Sequence, residues 1–250
     1  SVVLCNTDEN PDKEGLYVEL VLKKRMDGVI LAPAGRFDQK LKLLVERKIP
    51  LVLVDRKLKR LKADVVCSDN IKGARLAVNH LVKLGHKRIA MITGPLHVTT
   101  SSERLEGYKA ELQDHGIEID ESLIKEGRYN RESGYRLTEE LLSLDSPPTA
   151  ILAGNNFLAI GAILALRSRG LRIPEDMALV SFDDVEVTSL IYPFMTAVVQ
   201  SSYTMGTIAA QMLLERIEGR ISSEAREVVL NVDLVVRQSC GAGLVGNSSR

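Results

Sequence analysis

Residues Val65–Thr93 read VVCSDNIKGARLAVNHLVKLGHKRIAMIT, and the reading of this stretch decides the fold class. The apolar run Val65–Cys67 meets a polar break at Ser68-Asp69-Asn70. Ala74, Ala77, Val78, Leu81 and Val82 then recur at i, i+3, i+4, i+7 and i+8, which puts them on one face of an α-helix. Gly85 ends the pattern, as expected of a helix that closes on a residue of positive φ. A second apolar run, Ile89–Thr93, follows. Both flanking runs are continuous rather than alternating, which suits strands covered on both faces.

The same alternation extends in both directions. Apolar runs recur at Val2–Cys5, Val29–Ala32, Leu51–Val54, Ala150–Ala153, Ala178–Phe182, Ala197–Val199 and Val228–Val236. Helical periodicity recurs at Leu158–Leu166, where Gly170 supplies the stop, and at Met205–Leu213. It is weaker over Leu16–Arg25, Leu41–Arg47, Leu105–His115 and Leu137–Leu144. Strands alternating with helices predict an α/β protein with doubly wound parallel sheets and helices on both faces. No tandem repeat and no low-complexity linker divides the chain; only 241–250 (GAGLVGNSSR) reads as a flexible tail.

Bulk composition excludes several classes. The 250 residues carry 33 Lys+Arg against 33 Asp+Glu, with 45% hydrophobic residues. These are globular values, so bulk disorder and a fibrous repeat are ruled out. A balanced charge argues against a nucleic-acid binder that uses its whole surface, though not against a local patch. The 3 cysteines lack C-x-x-C spacing and suit a reducing compartment; Cys5 and Cys67, inside apolar runs, read as small core residues. No apolar run is long enough for a membrane-spanning helix. The chain opens inside an apparent strand, so the natural N-terminus, with any targeting segment, is expected upstream of Ser1.

Motifs with catalytic associations fall away on context. Gly241-x-Gly243-x-x-Gly246 matches a dinucleotide fingerprint, but too few residues follow for a helix to receive a pyrophosphate. Ser122-x-x-Lys125 and Ser68-Asp69-Asn70 imitate β-lactamase motifs in the wrong order and without K-T-G. His80, His86, His97 and His115 lack metal-ligand spacing; His80 and His86 read as surface or capping residues. Lys57, Lys59, Arg60 and Lys62 read as a solvated basic loop. No catalytic set, metal or cofactor is expected.

What remains lies after the strands, where open α/β sheets bind ligands. Asp55 and Arg56 follow Leu51–Val54. Asp69 and Asn70 follow Val65–Cys67, and Thr100 and Arg104 follow Ile89–Thr93. Tyr129 ends another segment, Asn155 and Asn156 follow Ala150–Ala153, Asp183 and Asp184 follow Ala178–Phe182, and Gln200 follows Ala197–Val199. Carboxylates and amides pair with hydroxyls, arginine offers a rigid donor fork, and tyrosine a flat apolar face. Such a set binds a small polar molecule without transforming it. Several members also have a local reading. Thr100-Ser101-Ser102-Glu103 is a capping box, Asp69 or Asn70 and Asn155 or Asn156 suit N-caps, and Asp183 or Asp184 suits a turn.

In order and spacing, these residues resemble the effector-binding core of the lactose/galactose repressor (LacI/GalR) family of bacterial transcription regulators. The resemblance runs from Ser1 to about Ser239. It is carried by Val54-Asp55-Arg56, Ser68-Asp69-Asn70-Ile71-Lys72-Gly73-Ala74, His80-Leu81-x-x-Leu84-Gly85-His86-x-x-Ile89-Ala90 and Gly94-Pro95. Further on it is carried by Arg104-x-x-Gly107-Tyr108, Gly134-Tyr135, Pro147-Pro148-Thr149-Ala150-Ile151 and Gly170-Leu171-x-Ile173-Pro174-Glu175-Asp176. Phe182-Asp183-Asp184, Pro193-x-x-Thr196-x-Val198-x-Gln200 and Met205-Gly206 complete it.

The resemblance implies two similar lobes of the periplasmic binding protein-like type, joined by crossover strands, with an effector between them. It assigns 1–84 with 200–221 to an N-terminal lobe and 85–199 with 222–240 to a C-terminal lobe. It implies effector contacts from Arg104, Asp183, Tyr129, Asn155, Asp69, Thr100 and Gln200, with Asp55 and Arg56 flanking the pocket. The effector implied is a sugar or sugar phosphate first and a purine second. The implied partners are a second copy of the chain and operator DNA, in a bacterial cytoplasm. The helix-turn-helix, hinge helix, first core strand and first helix of the family are expected to precede Ser1. Asn155-Asn156 stands where the family often has Asn-Asp. A periplasmic sugar-binding protein for transport shares the architecture and is the alternative; the Leu84-Gly85-His86 and Ile173-Pro174-Glu175-Asp176 motifs favour the regulator.

Overall fold

A computed structural model describes residues 1–35, 39–58, 60–184, 194–221 and 224–245; Lys59, Pro193 and Gly246 lie outside them. In chain order the elements are α1 (Pro11–Lys24), β1 (Val29–Leu31), α2 (Gln39–Glu46), β2 (Leu51–Val54), β3 (Asp64–Ser68), α3 (Asn70–Lys83), β4 (Ile89–Thr93), α4 (Thr99–Asp114) and β5 (Ile124–Glu126). They continue with α5 (Arg131–Leu142), β6 (Ala150–Ala153), α6 (Asn156–Ser168), β7 (Ala178–Phe182), β8 (Thr196–Val199), α7 (Ser202–Ile217), β9 (Glu227–Leu230), β10 (Asp233–Val235) and a final turn of helix, α8 (Ala242–Val245).

The chain forms two compact units. The first comprises Ser1–Ser68, His97–Thr100 and Ser201–Asn231; the second comprises Asp69–Leu96, Ser101–Gln200 and the chain from Val232 onward. The first holds a parallel sheet in the order β1-β2-β3-β9. The second holds the order β10-β8-β7-β6-β4-β5, parallel except for β10 against β8.

Alternate strand residues supply opposite faces, and both faces are covered. In the second unit Ile89, Met91, Leu152 and Val180 pack with Ala74, Ala77, Val78 and Leu81 of α3. Ala90, Ile92, Ile151 and Leu179 pack on the other side with Leu137 and Leu141 of α5 and Leu158, Ala162 and Leu166 of α6. In the first unit Leu51, Leu53, Val65 and Cys67 face Leu41 and Leu44 of α2, while Val52 and Val66 face Met205, Ala209 and Met212 of α7. This double burial is why the strands read as unbroken apolar runs. Gly85 and Gly170 close α3 and α6 with φ of +95° and +70°.

Several expectations are corrected. The helix α3, read as part of a lobe spanning 1–84, packs on the sheet of the second unit, so the chain changes unit at Ser68–Asp69 rather than at Gly85. Periodicity gives α3 an apolar face but does not say which sheet receives it. The run Val228–Val236 is two strands, not one. β9 pairs in parallel with β3, and after Asn231 and Val232 β10 pairs antiparallel with β8, so 224–231 belong with the first unit. Val2–Cys5 is not a strand: Val2 and Leu4 are almost fully exposed, no strand pairs with them among the described residues, and Cys5 is exposed rather than in a core. Within the supposed tail, Ala242–Val245 forms a helical turn.

One polar group is placed inside the first unit with full compensation. The Asp64 carboxylate at the start of β3 is inaccessible to solvent. It accepts from Arg216 Nη2 at 2.6 Å and Nε at 3.0 Å, and from Arg226 Nη2 and its backbone N–H at 2.9 Å. Burial pushes its pKa up, but the hydrogen bonds from Arg216 and Arg226 outweigh this and hold it below the ordinary 3.8. A depressed folded-state pKa stabilises above the unfolded value, and the benefit is lost as pH falls through the folded value. Asp64→Ala is expected to cost about 3–5 kcal/mol at neutral pH, because two guanidiniums lose their buried partner. Urea unfolding should show this cost at pH 7 and a smaller one as pH falls through the folded-state pKa, below the ordinary 3.8, where the wild-type carboxyl also protonates.

Candidate functional site

The second unit gathers three of the expected residues, Arg104, Asp183 and Gln200, into one cluster. Arg104, on α4, is almost fully buried. Its Nε donates to Asn70 Oδ1 at 2.9 Å and its Nη1 to Gly154 O at 2.6 Å. Its guanidinium lies over the Phe182 ring, 3.6 Å from the centroid. The cationic plane is therefore held on one face and two edges, which removes most of its rotamer freedom before any ligand arrives. Asp183 Oδ2 stands 4.0 Å from Nη1.

Asp183 follows β7 in a left-handed conformation, φ +67°, which aspartate tolerates better than most residues. Its N–H donates to Val198 O at 2.9 Å, which fixes this turn to β8. Gln200, just past β8, donates from Nε2 to Asp183 Oδ1 at 2.5 Å, while its Oε1 is buried without a partner among the described residues. The next residue, Asp184, accepts both arms of Arg237 at 2.7 and 2.8 Å, and Arg237 also bonds Met195 O at 2.6 Å. The turn that carries Asp183 is thus clamped from both sides.

Tyr129 lies flat on the backbone at Gly94. A Cβ added there would fall 2.3–2.7 Å from the ring, so only glycine admits the tyrosine at this distance. The Tyr129 hydroxyl is within 2.7 Å of Ser101 Oγ.

Other expected residues have local duties. Asp69 caps α3, accepting from Lys72 N at 2.9 Å, and Asn155 caps α6, accepting from Leu158 N at 2.9 Å. Each spends one oxygen on the cap. Thr100 is buried within α4, whose first residue is Thr99, so it is not the N-cap. The Glu103 of its supposed capping box instead accepts from Asn70 Nδ2 at 2.8 Å. In the first unit Asp55 repeats the geometry of Asp183, with φ +65° and its N–H bonded to Val66 O at 2.9 Å. Arg56 is forked by Glu9 at 2.6 and 2.8 Å, bonds Pro33 O at 3.0 Å and has Asp55 at 3.5 Å. His80, read as a surface or capping residue, meets buried Cys240 Sγ at 3.2 Å, and His86 meets Thr149 Oγ1 at 2.9 Å.

Two residues escaped the sequence reading. Phe182 was visible only as the end of an apolar run and Ser101 only inside a capping box, while Asn70 stood in the expected set but not as the partner of Arg104. Their roles are distances to Arg104 and Tyr129, which no local pattern carries. Among the described residues no three of His, Cys, Asp and Glu stand together to hold a metal ion, and no helix is long and apolar enough to cross a membrane.

Comparison with known proteins supplies the family context. Residues 78–240 match the periplasmic binding protein-like domain. The chain is 34% identical over 241 residues to the HTH-type transcriptional repressor PurR of Pasteurella multocida (strain Pm70), covering 96% of this chain and 72% of that protein. Among solved structures it resembles the transcriptional regulator CcpA of Lactococcus lactis, with TM-score 0.87 and 29% identity over 95% of this chain and 86% of that one. It also resembles the transcriptional regulator CelR in complex with cellobiose, with TM-score 0.84 and 34% identity over 91% of this chain and 70% of that one.

Proposed function

The chain belongs to the LacI/GalR family of transcriptional regulators, as its effector-binding core, and on that premise we propose that the cluster around Arg104 and Asp183 senses a sugar or sugar phosphate. The observation that carries this reading is the immobilised Arg104 beside the clamped Asp183 and Gln200. A fixed donor next to a fixed acceptor is what hydroxyl recognition requires. Tyr129, held flat on Gly94, supplies an apolar platform of the kind a sugar ring stacks on. Asp69 contributes the carboxylate oxygen, and Asn155 the Nδ2 amide donor, that capping leaves over. The cellobiose complex of one structural relative supports a sugar ahead of a purine.

Effector binding shifts the regulator between DNA-competent and DNA-incompetent states by its differential affinity for them. The proposed partners are a second copy of the chain and operator DNA in a bacterial cytoplasm. The similar proteins are regulators, so transport is not the favoured reading, and no turnover is proposed.

The test is a thermal-shift screen of the full-length regulator against sugars, sugar phosphates, polyols and nucleobases. A ligand at about 100 times its Kd adds roughly 2.7 kcal/mol and raises Tm. The hit should change operator affinity in fluorescence anisotropy. A ligand that binds equally well after Arg104→Ala, or leaves operator affinity unchanged, would overturn the assignment.

A further inference from the structure

The first unit carries a charged surface that the effector site does not use. Its sheet is parallel, so β1, β2, β3 and β9 all begin at one pole. The segments that enter those strands are basic. Lys23, Lys24 and Arg25 end α1 and lead into β1, Arg47 and Lys48 follow α2 and lead into β2, and Arg60 and Lys62 precede β3. All are exposed, and none has a carboxylate partner among the described residues. Most carboxylates at this pole are already matched: Glu46 by Lys42, Asp64 by Arg216 and Arg226, Glu215 by Arg226 and Glu218 by Arg220. Asp27 and Glu224 remain exposed there, too few to neutralise the excess. The whole chain is balanced at 33 Lys+Arg against 33 Asp+Glu, so the excess is a matter of placement.

Cations favour helix C-termini, where the carbonyl dipoles point outward. That accounts for Lys23 and Lys24 in the last turn of α1, but not for Arg60 and Lys62, which belong to no helix. Arg25 and Lys48 go further. They close α1 and α2 in the left-handed conformation, with φ of +53° and +56°. The following N–H turns back to the helix in each case, Met26 N to Val21 O at 3.2 Å and Ile49 N to Leu44 O at 2.9 Å. Glycine favours this closure, and Gly219 fills the same position after α7 with φ +67°. A side chain there is held at a conformational cost, and in both places it is a cation. Evenly spaced phosphates match such an array of long, mobile cations, which has no aromatic residue in its segments and no fixed geometry.

We propose that this pole of the core lies against the phosphate backbone of DNA when the regulator is bound, adding affinity that does not depend on base sequence. The inference rests on the DNA-binding reading above. The test is fluorescence anisotropy of the full-length regulator on a labelled mixed-sequence duplex of about 40 bp, with salt varied from about 20 to 200 mM. Arg25→Gly/Lys48→Gly removes two cations and supplies the residue that each backbone position favours, so Tm should hold or rise. Binding should weaken roughly ten-fold near 100 mM salt, and the slope of log affinity against log salt should fall by about 1–2, each phosphate contact being worth about 0.9. Lys23→Gln/Lys24→Gln, on the exposed last turn of α1, should give a similar loss. Lys13→Gln, at the other end of α1, should leave affinity and slope as in the wild type. An unchanged slope in both double variants overturns the inference and leaves DNA binding standing. Duplex binding kept by both, with binding to poly-L-glutamate lost, assigns the pole to an acidic polypeptide and overturns it as well. A wild type that fails to bind the duplex even at about 20 mM salt overturns the DNA-binding reading and this inference with it.

Discussion

Arg104→Ala is expected to lower effector affinity by about 100-fold, which corresponds to roughly 2.7 kcal/mol, and to cost stability as well. The affinity loss follows from removing a charged donor that is already immobilised, so little ordering entropy offsets its contribution. The stability loss follows from what the side chain holds. Gly154 O loses a 2.6 Å hydrogen bond, Asn70 Oδ1 loses one of 2.9 Å, and the Phe182 ring loses the cation above it. Unmatched buried acceptors cost about 1–3 kcal/mol. For a chain of this size each kcal/mol moves Tm by roughly 2–4 °C. Arg104→Lys keeps the charge but not the planar fork, so it should recover little of either loss. Calorimetry for affinity and thermal denaturation for Tm separate the two effects. Unchanged affinity would remove Arg104 from the effector site, whatever happens to Tm.

Gly161→Ala should give the largest loss of stability for a single methyl group. Helices α5 and α6 touch backbone to backbone. A Cβ at Gly161 would lie 2.2 Å from Arg131 O and 2.6 Å from Tyr135 N, and one at Gly134 would lie 2.3 Å from Leu158 O. These neighbours are main chain, which cannot swing aside, so the helices must separate and lose the apolar contacts of Leu137, Leu141, Leu158 and Ala162. Overpacking of this kind costs about 3 kcal/mol or more, a fall in Tm of roughly 6–12 °C. Gly206→Ala is the control. It also lies inside a helix, α7, but a Cβ there meets nothing within 4 Å. That change should stabilise by roughly 0.5–1 kcal/mol through helix propensity. Equal Tm values for the two variants would contradict the close packing of α5 on α6.

Much of this was legible in the chain itself. Continuous runs such as Leu51–Val54 and Ala178–Phe182 announce strands buried on both faces, because each side chain, up or down, meets a helix. The spacing of Ala74, Ala77, Val78 and Leu81 announces an amphipathic helix, and Gly85 its end. Polar residues placed after strands pointed to Arg104, Asp183, Gln200 and Tyr129, which the structure gathers in one unit. The same rule pointed to Asp69 and Asn155, whose first duty is to cap helices. Ligand and cap both ask for a short polar side chain at a strand-to-helix junction, so residue type alone does not separate them.

The sequence by itself determined the α/β class, the order of strands and helices, and the chemistry available at the strand ends. Those are properties of periodicity and residue type, set within a few turns of chain. Only the tertiary structure decided which sheet receives α3, how Val228–Val236 divides between two sheets, and that Val2–Cys5 pairs with no strand. It also decided that Asn70 and Phe182 hold Arg104. These outcomes depend on which surfaces meet across long separations in sequence. An apolar face or a polar atom specifies that it must be satisfied, not by which partner.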